Sequence, residues 1–224
     1  MPELLSFLPT IPPSIPYTSC YCEENVWMLA RHFQSDPEIV RIWHIYAVFV
    51  SNANKTVALW RQKARPDVVV WDYHVVLLAR SKSRDGEESH SSPPSAWIYD
   101  MDTTLSLPCE ARDYLSQTFM PCSYKYTSRF RVVPATVFLD EFASDRSHML
   151  ASQPYEPQED MAKECEYKMP PPQCPPICGS NARLKGVRHN LMTHFVDVTV
   201  KGFGDVVDLA LLTTWMERPT ITVN

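Results

Sequence analysis

The sequence predicts an α+β domain: a central, largely antiparallel sheet flanked by helices. Three observations lead there. Strand-length runs rich in β-branched and aromatic residues recur between positions 45 and 133. Consecutive strands are joined by single loops, and such neighbours pair antiparallel as a rule. Segments with apolar residues at three- and four-residue spacing stand before and after the strand region.

The elements follow in order. Residues 1–18 are Pro-rich and read as an extended arm. Glu23 to Phe33 is predicted helical, because Val26, Trp27, Ala30 and Phe33 recur at helical spacing. Glu23 and Glu24 fall in its first turn, where acidic side chains suit the positive end of the helix dipole. "IYAVFVSN" (45–52) is a buried strand running into a turn, and "TVALW" (56–60) follows closely enough to form a hairpin with it. "VVVWDYHVVLLA" (68–79) reads as one strong strand, "SKSRDGEESHSSPPS" (81–95) as a polar loop, and "AWIYDMD" (96–102) as the antiparallel partner of that strand. A strand near Arg129 to Val133 precedes a short helix or turn. Residues 151–181, rich in Pro, Glu, Gln and Cys, read as an irregular insert. "DVVDLALLTTWM" (205–216) reads as a C-terminal helix. Residues 19–224 thus form a single domain carrying one insert.

Composition narrows the partners. A chain of 224 residues, 45% hydrophobic, can build one sizeable core. Its net charge of -5 disfavours nucleic acid as the main partner. No run approaches the roughly 18 apolar residues of a membrane span. The first residues, "MPELLSFLPTIPPSIP", lack a basic n-region and do not read as a signal peptide. Seven unevenly spaced cysteines argue for free thiols, and with them a cytoplasmic or nuclear location.

Strand alternation then gathers a chemical constellation. Val70, Asp72, His74 and Val76 would share one face of their strand, and Ile98, Asp100 and Asp102 one face of the next. A His and an Asp directly opposite in such a ladder stand about 5 Å apart at Cβ, so either Asp could orient the imidazole. Cys22, closer than Cys20 to the start of the first helix, sits where the helix dipole favours thiolate, and an imidazolium would favour it further. Its own backbone N–H is a natural oxyanion donor. The order Cys, His, Asp, with Cys on a helix and the other two on consecutive strands, is the papain/transglutaminase-type arrangement. The residues alone define a site for cysteine acyl transfer or amide hydrolysis, without a substrate.

With those residues in hand, the chain resembles the protein N-terminal glutamine amidohydrolase family. "SCYCEENVW", "YAVFVSN", "WRQKARP", "VVWDYHVVLL", "IYDMDT" and "FASDRSHM" match its pattern in order from about Tyr17 to Met149, and "GFGDVVDL" resembles its closing segment. The resemblance implies Cys22 as nucleophile, His74 as base and Asp100, rather than Asp102, as its partner. It implies hydrolysis of an N-terminal glutamine to glutamate and ammonia, ahead of arginylation in the N-degron pathway. It also implies a monomer with no cofactor or metal, acting on proteins or peptides with a free N-terminal glutamine. Glu23 and Asp72 are candidates to read the substrate's α-ammonium, and Tyr21 a further substrate-binding candidate. The arm before Tyr17, the 81–95 loop and the insert depart from the family pattern without touching the three catalytic candidates.

Other readings attach to the same chain. Cys165, Cys174, Cys178 and His189 could ligate zinc, and "MPPPQCPPIC" could offer polyproline II to a binding partner. Peptide cleavage and transglutamination would use the same triad. His148 and Asp145 could line the pocket, with a salt bridge between Asp145 and Arg146 as the plainer expectation.

Overall fold

The computed structural model describes residues 8–82, 94–151 and 166–218. The chain folds as α+β around a six-stranded antiparallel sheet of order β6-β5-β4-β1-β7-β8. Its strands are β1 (Trp43–Ser51), β4 (His74–Ser81), β5 (Ala96–Tyr99), β6 (Cys109–Glu110), β7 (Arg129–Pro134) and β8 (Asp205–Val207). A separate ribbon pairs β2 (Val57–Leu59) with β3 (Val69–Trp71).

The two central strands are apolar on both faces, so each residue parity feeds a different core. Ile45, Ala47 and Phe49 of β1 join Val75, Leu77 and Ala79 of β4 beneath α1 (Cys22–Ser35) and α4 (Ala135–Glu141). Val48, Val50, Val76 and Leu78 face the other way, toward α3 (Ala111–Thr118) and α6 (Leu209–Glu217). Helix α2 (Pro37–Ile42) starts on Asp36, whose side chain accepts from the amides of Glu38 and Ile39. Helix α5 (Ser180–Leu184) begins in the last two residues of the insert. Among the described residues, no helix is long and apolar enough to cross a membrane.

Four expectations need correction. The segment 56–60 does not form a hairpin with β1; its strand pairs with β3 instead. The run 68–79 is two strands, not one. The chain breaks at Asp72, whose carboxylate accepts from the Tyr73 amide, and so passes from the ribbon to the main sheet. Alternation therefore does not carry across the break: Val70 and Asp72 are exposed, while His74 and Val76 are buried. The strand predicted over 96–102 ends at Tyr99, placing Asp100 in the turn that follows it. The helix predicted over 205–216 opens instead as β8, because Asp205–Val207 pairs with β7; the helix begins at Leu209, capped by Asp208. The antiparallel pairing of β4 with β5 agrees with the sequence reading.

The expected arm and insert both touch the core. Leu8, Ile11 and Ile15 pack against the α1 side, and the Tyr99 hydroxyl donates to the carbonyl of Pro9. In the described part of the insert, Ile177 is a core residue, and isolated bridges tie Tyr167 to Leu150 and Cys178 to Ala143. The loop 81–95 falls largely outside the described residues.

Candidate active site

Cys22 is the first residue of α1. The Glu24 amide already donates to the Tyr21 carbonyl, whereas those of Cys22 and Glu23 precede the first bond of the helix, so the sulfur lies beside free N–H groups. Glu23, Val26, Ala30 and Phe33 bury one face of α1, which packs the helix across β4. That docking puts the Cys22 sulfur within hydrogen-bond reach of the Val75 backbone, one residue past His74.

His74 opens β4 and Asp100 follows β5. Leu77 pairs with Tyr99, so Asp100 falls level with Val76 and Asp102 with His74. The contact is nevertheless made by Asp100: its Oδ1 is 2.9 Å from His74 Nε2. The turn after Tyr99 explains this. It folds back so that the Asp102 amide donates to Asp100 Oδ1, at 2.9 Å, fixing that carboxylate as the one aimed at the imidazole. The second oxygen, Oδ2, accepts from Gln62 Nε2 (3.0 Å) and from the Tyr114 hydroxyl (2.8 Å). Four donors around a buried carboxylate favour its ionised form. Although burial opposes ionisation, the charge and hydrogen bond of His74, with the other donors, hold Asp100 at about 2. For His74, burial lowers the affinity for a proton, but the charge of Asp100 and the bond to it outweigh that, and the net shift is upward. Nε2 being committed to Asp100, Nδ1 is the ring nitrogen left for other work. Trp71 stacks on the imidazole, centroids 5.9 Å apart and planes within 18°.

The thiol departs from expectation. The helix start was expected to favour thiolate, yet Cys22 is pushed well above an ordinary thiol. Burial is the main cause, reinforced by the carboxylates of Glu23, Asp102 and Asp72. Both effects favour the thiol form of Cys22 in the free protein.

The three weaker candidates part company. Glu23 is buried against the sulfur, with its Oε2 at 3.7 Å from Sγ. Asp72 is exposed and caps the Tyr73 amide, its charge still felt at Cys22. Tyr21 is fully buried and donates its hydroxyl to the Met169 carbonyl. The expected Asp145–Arg146 salt bridge is not formed. Arg146 instead makes a buried two-bond pair with Glu24, Nε to Oε1 at 2.7 Å and Nη2 to Oε2 at 2.8 Å, and Asp145 lies 3.1 Å from His189 Nδ1. His148 does reach the site, 3.5 Å from Glu23.

Two metal arrangements can be tested. His74, Asp100 and Asp102 offer ligand atoms within 4.8 Å of one another, but both Asp100 oxygens already accept two hydrogen bonds each, so a cation would have to displace those donors. The sequence's zinc candidates do not converge among the described residues: the Cys178 thiol donates to the carbonyls of Gly179 and Val187, Cys174 lies on Arg146, and His189 faces Asp145. Cys165 is outside the described residues.

Sequence reasoning missed Gln62, Trp71, Tyr73 and Tyr114. For Tyr114 a signal existed: Ala111, Tyr114, Leu115 and Thr118 recur at helical spacing and form the buried face of α3. Gln62 is brought in by an isolated bridge to Thr103, which leaves no periodic trace.

Comparison with known proteins bears on this geometry. The family described as N-terminal glutamine amidase matches residues 17–216. The human protein named protein N-terminal glutamine amidohydrolase is 33% identical over 220 residues, covering 95% of this chain and 94% of its own length. The zebrafish (Danio rerio) protein of that name is 39% identical over 164 residues, 71% of this chain and 70% of its own. The bovine one is 36% identical over 185 residues, 80% and 79%.

Proposed function

The chain belongs to the N-terminal glutamine amidase family, and we propose that Cys22, His74 and Asp100 are its catalytic triad, carried on a papain/transglutaminase-like scaffold. The protein is a hydrolase of amides that converts the N-terminal glutamine of a protein or peptide to glutamate, with release of ammonia. The product's N-terminal glutamate suits arginylation, which puts the reaction at the head of an N-degron route.

The steps follow from the site's atoms. Cys22 passes its proton to His74 Nδ1, and the sulfur attacks Cδ of the glutamine side chain. The oxyanion is met by N–H groups of the first turn of α1, that of Cys22 among them. His74 returns the proton to the departing nitrogen, because an amide anion is too basic to leave, and ammonia departs as the thioester forms. Water then gives a proton to His74 and its oxygen to the acyl carbon. The C–S bond breaks, glutamate is released, and the thiol regains its proton. Asp100 holds the imidazole's orientation and steadies its charged form throughout.

The observation that supports this most is the buried His74–Asp100 pair at 2.9 Å, ending beneath the helix whose first residue is Cys22. Six of the seven cysteines are described and each is free, which favours a reducing cytoplasmic or nuclear setting. We take the working unit to be a monomer that needs neither membrane nor nucleic acid.

Ammonia release from a glutamine-initiated peptide tests the reading. The same peptide N-acetylated, a peptide with glutamine second, and Cys22→Ala protein serve as controls. Ammonia from the free N-terminal glutamine alone, abolished in Cys22→Ala, is the expected result. Cleavage of the peptide backbone instead, or ammonia undiminished by the substitution, would overturn it.

A further inference from the structure

Glu23 is fully buried, directly after the nucleophile, and the catalytic steps above leave it without a task. Its neighbour Glu24 is neutralised by Arg146. Glu23 has no such partner: among the described residues, the one basic side chain within ion-pair distance is His148, with Nε2 at 3.5 Å from Oε1. Oε2 accepts from the Tyr73 hydroxyl at 3.0 Å and faces the Cys22 thiol. Oε1 accepts no hydrogen bond. A buried carboxylate oxygen without a donor is costly, and such groups are rare in native proteins.

His148 lies against Oε1. The Tyr73 hydroxyl has one proton, which goes to Glu23. At the 3.3 Å contact between that hydroxyl and His148 Nε2, the imidazole N–H must therefore be the donor. His148 sits on the turn Ser147–Met149, with its own side chain 8% exposed, and its Nδ1 has no partner. His148 is thus the side chain that an arriving cation would have to replace at Oε1.

We propose that Glu23 Oε1 receives the substrate's α-ammonium, with His148 turning aside to admit it, and that the arriving cation is what lets Cys22 pass its proton to His74. This rests on the N-terminal glutamine reading and adds to it the group that distinguishes a terminal from an internal glutamine.

The lengths agree. In glutamine the α-nitrogen and Cδ are four bonds apart, at most about 5 Å. An ammonium on one oxygen of Glu23 thus leaves Cδ within reach of a sulfur that touches the other. The charges agree too. Around the sulfur stand Glu23 on its own helix, Asp72 and Tyr73 just before β4, the backbone of Val75 next to His74, and Asp102 beyond β5, with His148 behind Glu23. Three of these are carboxylates that oppose a thiolate, and the substrate's cation cancels the nearest. An acetylated or internal glutamine brings no cation. It therefore gains neither the contact nor an ionised nucleophile, and binding energy is expressed in the reaction step.

The test uses the full chain and two readouts. In Glu23→Gln protein, the preference for a free over an N-acetylated glutamine peptide, in kcat/KM, is expected to fall at least tenfold. In wild-type protein, iodoacetamide alkylation of Cys22 is followed against pH by mass spectrometry, with a norvaline-initiated peptide either free or N-acetylated. The free peptide is expected to move the alkylation midpoint at least one pH unit toward acid, and the acetylated one to leave it in place. The second readout needs no variant, so misfolding of Glu23→Gln cannot hide the answer. An unchanged preference in the variant, or the same midpoint with both peptides, overturns the proposal. If wild-type protein releases ammonia normally while either result is seen, only the role of Glu23 falls. If it releases none, the underlying reading falls first.

Discussion

Asp100 accepts four hydrogen bonds, and in the proposed mechanism the one to His74 sets how activity responds to pH. A raised His74 holds its proton above the ordinary value of 6.5. While it does, it cannot accept the proton of Cys22. The acid limb of kcat/KM should therefore have its midpoint above 6.5, with activity rising as pH rises through it. Asp100→Asn removes the charge that raises His74 and leaves the burial that lowers it, so the midpoint should move toward acid. The same substitution should cost kcat roughly a hundred- to ten-thousandfold, because the imidazole loses its orienting partner. Ammonia-release rates across about pH 5 to 9 measure both effects. An unmoved midpoint would mean that Asp100 does not control the proton on His74.

Elements hold one another through contacts that are themselves exacting. Arg131 of β7 is buried and donates to the carbonyls of Phe195, Asp197, Val200 and Phe203, binding residues 195–203 to the sheet. Gly202 and Gly204 border this clasp. A Cβ on Gly202 would strike the His194 carbonyl, and one on Gly204 the Val132 carbonyl, where φ is also +72°. Gly186 has a similar φ of +68° but open space around it. The two positions thus separate strain from collision. Gly186→Ala should cost about 1 kcal/mol, from backbone conformation alone. Gly204→Ala should cost at least about 2 kcal/mol more, from backbone that must move. At 2–4 °C per kcal/mol for a chain of roughly this size, calorimetry should find Tm about 4–8 °C lower for Gly204→Ala than for Gly186→Ala. Equal Tm values would mean that the Val132 contact carries no weight.

At the scale of the molecule, the insert is part of the support of the site rather than an appendage. Its carbonyls at Pro172 and Cys174 receive Arg146, whose other bonds hold Glu24 on α1, and Met169 receives the Tyr21 hydroxyl beside Cys22. Ile177 is buried in the core. Replacing residues 166–178 with a Gly/Ser linker gives up about 1.5–3 kcal/mol of apolar burial at Ile177. It also leaves two buried donors short of acceptors, at about 1 kcal/mol or more each. The expected loss of at least about 3 kcal/mol lowers Tm by roughly 6–12 °C. An unchanged Tm would return the insert to the status of a spacer.

The sequence by itself determined the class of fold and the central strands, and it supplied the three residues proposed as the triad. The strands and the helix rest on local signals, continuous β-branched and aromatic runs in β1 and β4 and helical spacing in α1, while the proposed triad rests on the order of motifs around Cys22, His74 and Asp100. It did not determine where the run 68–79 breaks, that 205–207 pairs as a strand, or which residues satisfy Asp100. Those outcomes depend on partners distant in sequence, as Gln62 and Tyr114 show. The tertiary structure alone set the balance between thiol and thiolate at Cys22. A helix start argues for thiolate, but desolvation and three carboxylates gathered from separate elements outweigh a partial dipole charge, so the thiol form is favoured in the free protein.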